Sequence, residues 1–293
     1  MYKGRKNAHT TESAPDAPSE SCRHTPPALT SRLRRVVPNT ITSLNLLCGC
    51  VATVFALRGW IDYAVYALFA AAVFDFFDGL SARLLRAYSE LGKQLDSLAD
   101  VVSFGLAPAA LLHYKLRLLL NETISGSLSA AGWELLTFAP FVVTIFSALR
   151  LAKFNIDTRQ HDRFIGLPTP ANALLVAALT SLSVNGHWLT AWMDSWYAIL
   201  ILCAALSALL VCGLPMFALK FTNGRWRDNV SRLVFAGIVV VIVTASALSR
   251  QGMMFAVAAV IVSYIFLSVL LYAVCAPSPV DSSKITTSKQ NIL

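Results

Sequence analysis

The sequence predicts an all-helical protein that crosses a membrane about eight times. Three observations carry that expectation: apolar residues come in long blocks, charge is scarce, and most of the basic residues gather at the block ends. Hydrophobic side chains make up 56% of the 293 residues and charged ones only 14%, with a mean hydropathy of +0.61. A water-soluble domain carries about a quarter charged residues, so this composition excludes most soluble proteins. The formal net charge of +8 would elsewhere suggest nucleic acid. At the ends of apolar blocks it suits lipid headgroups instead.

Residues 1–30 are polar, rich in Ser, Thr and Pro, and lack the apolar core of a signal peptide, so a disordered cytoplasmic tail is expected. Eight blocks follow, each near the ~20 residues a bilayer requires: 37–58, 61–86, 92–116, 132–152, 169–186, 195–217, 230–249 and 252–275. The first six fall in a membrane domain over 31–217, the last two in an addition over 218–276, and 277–293 forms a second cytoplasmic tail. Pro38 suits the first turn of span one, where its missing N–H costs nothing. With both termini cytoplasmic, 20 of the 24 Lys and Arg fall inside. Only Arg58, Lys115, Arg117 and Arg250 fall outside, the asymmetry of a multi-pass protein in a prokaryotic inner membrane. Trp60, Trp133, Trp188, Trp192 and Trp196 mark the outer boundary as an aromatic belt. The chain has no evident internal repeat, which argues against an inverted-repeat transporter. Its six cysteines include no CxxC, so neither a disulfide framework nor a zinc site is indicated. His113, His161 and His187 lie in separate segments and suggest no joint metal site.

The informative stretch is Asp75-Phe-Phe-Asp78-Gly79-Leu-Ser-Ala82-Arg83, followed after eight residues by Gly92-Lys-Gln-Leu-Asp96-Ser-Leu-Ala-Asp100. Spacing puts Asp75 and Asp78 on one helix face, and Asp96 and Asp100 on another. A tight turn near Ala87 would set the two pairs opposite each other at similar depth. One ionised Asp at mid-membrane costs about 2.5–3.5 kcal/mol even on the lenient insertion scale. Four together, mutually repelling, need compensation that Arg83 alone cannot supply. Two divalent cations would neutralise the cluster, and carboxylate oxygens suit Mg²⁺ or Mn²⁺. Gly79, Ala82 and Gly92 leave room for a ligand beside those metals. A metal pair there could grip a pyrophosphate through an in-line displacement. Proton relays and ion pathways also use intramembrane acids, so a cation or proton transporter stays open on the residues alone.

The pattern D-x-x-D-G-x-x-A-R-x(8)-G-x-x-x-D-x-x-x-D resembles the signature of the CDP-alcohol phosphatidyltransferases at every fixed position. The resemblance covers about residues 34 to 215. It implies a core of six helices, usually dimeric, that uses divalent metal to displace CMP from a CDP-linked lipid. By position it implies that Asp75, Asp78 and Asp96 bind metal and that Asp100 is a metal-associated general base on the acceptor hydroxyl. Gly79, Ala82, Arg83 and Gly92 would line the CDP-lipid pocket. Within that family the flanks are similar to those of integral-membrane phosphatidylserine synthases. That likeness rests on Pro38-Asn39-Thr40-Ile41-Thr42, Asp96-Ser97-Leu98-Ala99-Asp100, Arg150-Leu151-Ala152-Lys153-Phe154-Asn155 and Gly166-Leu167-Pro168-Thr169-Pro170-Ala171. It implies CDP-diacylglycerol and L-serine as substrates. Lys153 stands where Arg is more usual.

The residues themselves say less about the acceptor. Serine needs a cation for its carboxylate, and Arg150 near the inner end of span four is the candidate; an Arg snorkelling to the headgroups reads equally well. Lys153, Arg159 and Arg163 could instead serve glycerol 3-phosphate or inositol phosphate, and serine could be joined to an archaeal-type CDP-lipid. Asn39, Thr42 and Asn45 recur every three residues as a polar stripe on span one. They suit helix packing or contact with the CDP group.

Overall fold

The computed structural model describes residues 29–123, 130–156, 164–212, 215–216, 230–249 and 252–275. The expected tails, apart from their helical margin at 29–30, lie outside the described residues, as do Arg159, His161, Arg163 and Arg250. In chain order the helices are α1 (Leu29–Leu57), α2 (Ile61–Leu84), α3 (Glu90–Asp100), a π-helical segment (Val101–Leu106) and α4 (Ala107–Thr123). Then come α5 (Ala130–Thr137), a 3-10 turn (Ala139–Phe141), α6 (Val142–Ile156) and α7 (Thr169–Val184). A 3-10 stretch (Trp188–Asp194), α8 (Trp196–Val211), α9 (Val230–Leu248) and α10 (Met253–Cys275) follow among the described residues.

Every expected span is helical, and among the described residues five or six segments qualify as crossings by length and composition against the eight expected. Among the described residues five segments are long and apolar enough alone: Val36–Leu57, Ile61–Leu84, Glu90–Glu122, Ala131–Ile156 and Met253–Tyr272. The pair Thr169–Val184 and Trp188–Asp194, bent by 92°, makes a sixth if counted as one span. α8 has 16 residues, a rise of about 24 Å against a hydrocarbon core of about 30 Å. The apolar run from 195 to 217 overstated it, because the backbone turns extended at Cys212 (φ −58°, ψ 145°) ahead of Pro215.

Pro38 also departs from expectation. It lies inside α1 rather than in its first turn, since the helix begins at Leu29. An interior proline forfeits a backbone bond. Hydroxyls on the following turns bond nearby carbonyls, Thr40 to Val36 (2.8 Å), Thr42 to Pro38 (3.0 Å) and Ser43 to Asn39 (2.8 Å). Such hydroxyls help a membrane helix tolerate proline. The helix begins in polar turns ahead of the apolar span, whose start at Val36 agrees with the expected one.

The bundle packs through small residues. Ala52 and Ala56 of α1 and Ala64 and Ala71 of α2 are at most 1% exposed, so the two backbones approach closely. α7 runs through the centre, with both apolar and hydroxyl side chains buried along its length. Gly49 of α1 meets the π-helical segment, and a Cβ there would collide with Ser103. That contact lets the Ser103 hydroxyl donate to the Asn45 carbonyl at 3.0 Å. Pro108 follows the segment, and its missing N–H weakens the α-helical ladder at that place.

The connection from α6 to α7 is also pinned. Phe164 and Ile165 pair antiparallel with Met216 and Pro215, and the Leu167 N–H donates to the Leu209 carbonyl (3.0 Å). Gly166 allows this with φ +78°, where a Cβ would lie 2.6 Å from the Leu210 carbonyl oxygen. The start of α7 is thereby fixed against the C-terminal end of α8.

Candidate active site

α2 and α3 form the hairpin that the aspartate spacing predicts. α2 ends at Leu84, Arg86 takes a left-handed conformation (φ 48°), and Ser89 caps α3 by accepting the Gly92 N–H at 3.0 Å. This hairpin gathers Asp75, Asp78 and Asp96 so that one oxygen of each lies within 4.8 Å of the others. Asp78 Oδ2 and Asp96 Oδ1 are buried without a hydrogen-bond partner. Among the described residues no Lys or Arg forms an ion pair with the three. Close carboxylates that lack partners call for a cation, and an all-oxygen donor set fits a hard divalent ion.

Asp100 stands slightly apart. It is not one of the three grouped carboxylates, but it lies within hydrogen-bonding reach of Asp75. It is buried at 9% exposure, and the Asn45 amide donates to its Oδ1 at 3.4 Å. Asn45 is itself fully buried, held by the α1 contact with Ser103. The fourth acid is therefore oriented by α1 and the π-helical segment, while the hairpin orients the other three.

All six residues expected to hold the CDP-lipid line one cavity of about 620 Å³: Asn39, Thr42, Gly79, Ala82, Arg83 and Gly92. Asp78 and Asp96 form part of its wall. A Cβ on Gly79 would meet nothing within 4 Å, so that position opens into free space. A Cβ on Gly92 would sit 3.0 Å from both Asn39 Oδ1 and Ser89 Oγ, so a side chain there has little room. A second cavity of about 630 Å³, walled by Phe69, Leu174, Val257 and Ile261 among others, is almost wholly apolar and offers nothing to a phosphate.

Arg150 is not among the residues that line that cavity. Its Nη1 donates to the Thr169 hydroxyl at 3.3 Å, its Nε is buried without a partner, and it is close enough to Asp100 to interact electrostatically. Sequence reasoning missed Thr169 as its partner. It also left out Asn172, one helical turn further along α7, which is fully buried with both amide atoms unpartnered. A polar residue in an apolar block was the available signal for both. His113 is structural, with Nδ1 2.6 Å from the Thr137 carbonyl, and it does not approach His187 through any described contact.

Residues 35–209 match the sequence pattern of the CDP-alcohol phosphatidyltransferases. Several similar proteins carry the name CDP-diacylglycerol–serine O-phosphatidyltransferase. That of Mycobacterium tuberculosis (strain ATCC 25618 / H37Rv) is 34% identical over 193 residues, covering 62% of this chain and 61% of that protein. That of Bacillus subtilis (strain 168) is 39% identical over 144 residues, covering 49% of this chain and 75% of the relative. That of Helicobacter pylori (strain J99 / ATCC 700824) is 34% identical over 154 residues, covering 52% and 60%. The chain thus spans about 61% of the length of the mycobacterial relative.

Proposed function

The chain belongs to the CDP-alcohol phosphatidyltransferase family, and we propose that it transfers a phosphatidyl group from CDP-diacylglycerol to L-serine, giving phosphatidylserine and CMP. The observation that carries this reading is a triad of close carboxylates with unpartnered buried oxygens in the wall of a cavity, with a fourth acid held separately beside it. A divalent cation, Mg²⁺ or Mn²⁺, or two if Asp100 also serves as a ligand, supplies charge stabilisation at the phosphate oxygens when bound by Asp75, Asp78 and Asp96. The cavity side chains hold the CDP group, with Arg83 offering positive charge and Gly79 leaving space for close approach.

Transfer needs one proton acceptor. The serine hydroxyl oxygen forms a bond to the phosphorus that carries diacylglycerol, and the bond from that phosphorus to the bridging pyrophosphate oxygen breaks. CMP departs with that electron pair, and Asp100 takes the hydroxyl proton. Asn45 keeps Asp100 oriented for that step, and burial keeps bulk water from competing. Arg150 holds the serine carboxylate at the acceptor side.

Serine is favoured over glycerol 3-phosphate or inositol phosphate by the shared name of the relatives. The transporter reading loses its ground to the family membership. The same reading sets the enzyme in an inner membrane as a homodimer, with cytoplasmic termini and the acids near the cytoplasmic headgroups. The experiment is CMP release by detergent-purified protein given CDP-diacylglycerol with Mg²⁺ or Mn²⁺. Serine, glycerol 3-phosphate and inositol phosphate are supplied separately, each with a chelator control. Release with serine alone, abolished by the chelator, is expected. Release with another acceptor would overturn serine, and release unaffected by the chelator would overturn the metal.

A further inference from the structure

α9 and α10 lie beyond the family-matched segment 35–209, and they help to wall two cavities that meet. The apolar cavity of about 630 Å³ is bounded by Phe69 of α2, Leu174 of α7, Val243 and Ser246 of α9, and Ile261 of α10. A smaller one of about 410 Å³ is lined by Asp62 and Tyr66 of α2, Asn185 and His187 beyond α7, and Met254 of α10. Gly252 and Met253 line both, so the two adjoin at the start of α10. Among the described residues neither shares a wall residue with the cavity at the aspartates. Asp62 lies near the opposite end of α2 from Asp75, about 20 Å away along the helix.

The joined space is polar at one end and apolar at the other. The small cavity carries a carboxylate, a phenol, an amide and an imidazole, and Asp62 forms no ion pair among the described residues. The large cavity is apolar except at Ser246, which is 4% exposed and has its hydroxyl buried without a partner. Its neighbours on α9 behave differently. Thr244 donates to the Val240 carbonyl at 2.8 Å and Ser249 to the Ala245 carbonyl at 2.6 Å. A buried hydroxyl that does not bond its own helix calls for an acceptor from outside it.

We propose that these joined cavities bind one membrane phospholipid whose headgroup carries a cationic amine, at a site separate from the aspartates. The amine answers Asp62, and Tyr66 and Asn185 offer polar groups to the phosphate. An acyl chain fills the apolar cavity, and an ester carbonyl accepts from Ser246. Charge selects against an anionic headgroup, since Asp62 repels it. Val243 and Met253 are 49% and 63% exposed on the flank of the bundle, so a chain enters sideways from the bilayer.

The test uses the full-length, detergent-purified protein and phosphatidylethanolamine bearing a photoreactive diazirine in one acyl chain. Unlabelled phosphatidylethanolamine or phosphatidylglycerol competes, and cross-links are mapped by peptide mass spectrometry. Labelling concentrated on α9 and the start of α10 is expected, displaced about fivefold better by the amine lipid, as one exposed ion pair allows. Asp62→Asn should erase that preference and keep the labelling. Ala247→Trp, a change at an exposed position in the apolar wall, should abolish the labelling there. Melting temperatures establish that each variant is folded. Labelling spread evenly over the bundle, or equal displacement by the two lipids in the wild type, would overturn the proposal. A preference that survives in folded Asp62→Asn, or labelling that survives in folded Ala247→Trp, would overturn it as well.

Discussion

Two regions of this bundle bury charge, and they do so in opposite ways. Lys115 of α4 is only 8% exposed, yet its Nζ meets Asp194 Oδ1 at 3.0 Å, and the Asp194 side chain is 61% exposed. The charge is answered within the protein, and the pair ties α4 to the 3-10 stretch before α8. At the α2–α3 hairpin three carboxylates crowd together, two of their oxygens are buried without partners, and no described cation pairs with them. The first arrangement is answered within the fold, while the second leaves its carboxylates without an answering charge among the described residues. Burial of charge alone does not mark function; burial without an answering group does.

That contrast predicts opposite outcomes for substitution in the two regions. Asp78→Asn and Asp96→Asn should each remove metal-dependent CMP release by about a thousandfold or more, the several kcal/mol that a metal supplies. Their metal-free melting temperatures should stay level or rise, because a repelling charge has gone without loss of volume. Near-normal turnover in either variant would erase the distinction. Asp100→Asn should slow turnover by roughly 10²–10⁴-fold while the affinity for CDP-diacylglycerol, followed by a binding assay, is retained. Parallel loss of both would make Asp100 chiefly a ligand. Arg150→Ala should raise the serine KM roughly 10- to 100-fold at nearly constant CDP-diacylglycerol KM, read from initial rates. The smallest effect belongs to Asp194→Ala. It strands Lys115 and should cost about 1–3 kcal/mol of stability, seen as a lower melting temperature with kcat unchanged.

The hairpin was the most legible part of the sequence. Acids inside apolar spans are rare enough to stand out, and helical spacing alone pairs Asp75 with Asp78 and Asp96 with Asp100. The turn near Ala87 followed from counting residues between them. Contacts that depend on distant parts of the chain left no such local mark. Asn45 and Asp100 are 55 positions apart, and nothing in the polar stripe of Asn39, Thr42 and Asn45 distinguishes a residue facing CDP from one facing Asp100. The path from Gly166 through Thr169 to Arg150 is likewise set by tertiary packing. The span count, five or six among the described residues against the eight expected, was less legible for a different reason. Hydropathy reports composition, and it runs on through residues such as Cys212 where the backbone has already left the helix. Pro38 shows the converse, a helix that begins in polar sequence before the apolar block.

The central claim is that the three hairpin acids are incomplete without a divalent cation, and direct binding tests it ahead of any assay of turnover. Mn²⁺ would be titrated into the purified protein, with free Mn²⁺ followed by its electron paramagnetic resonance signal. The wild type would be compared with a variant carrying Asp75→Asn, Asp78→Asn and Asp96→Asn together. Saturable binding by the wild type, lost in the triple variant and displaced by excess Mg²⁺, is the predicted result. Binding that is absent from a folded wild type, or unchanged in a folded triple variant, would contradict it.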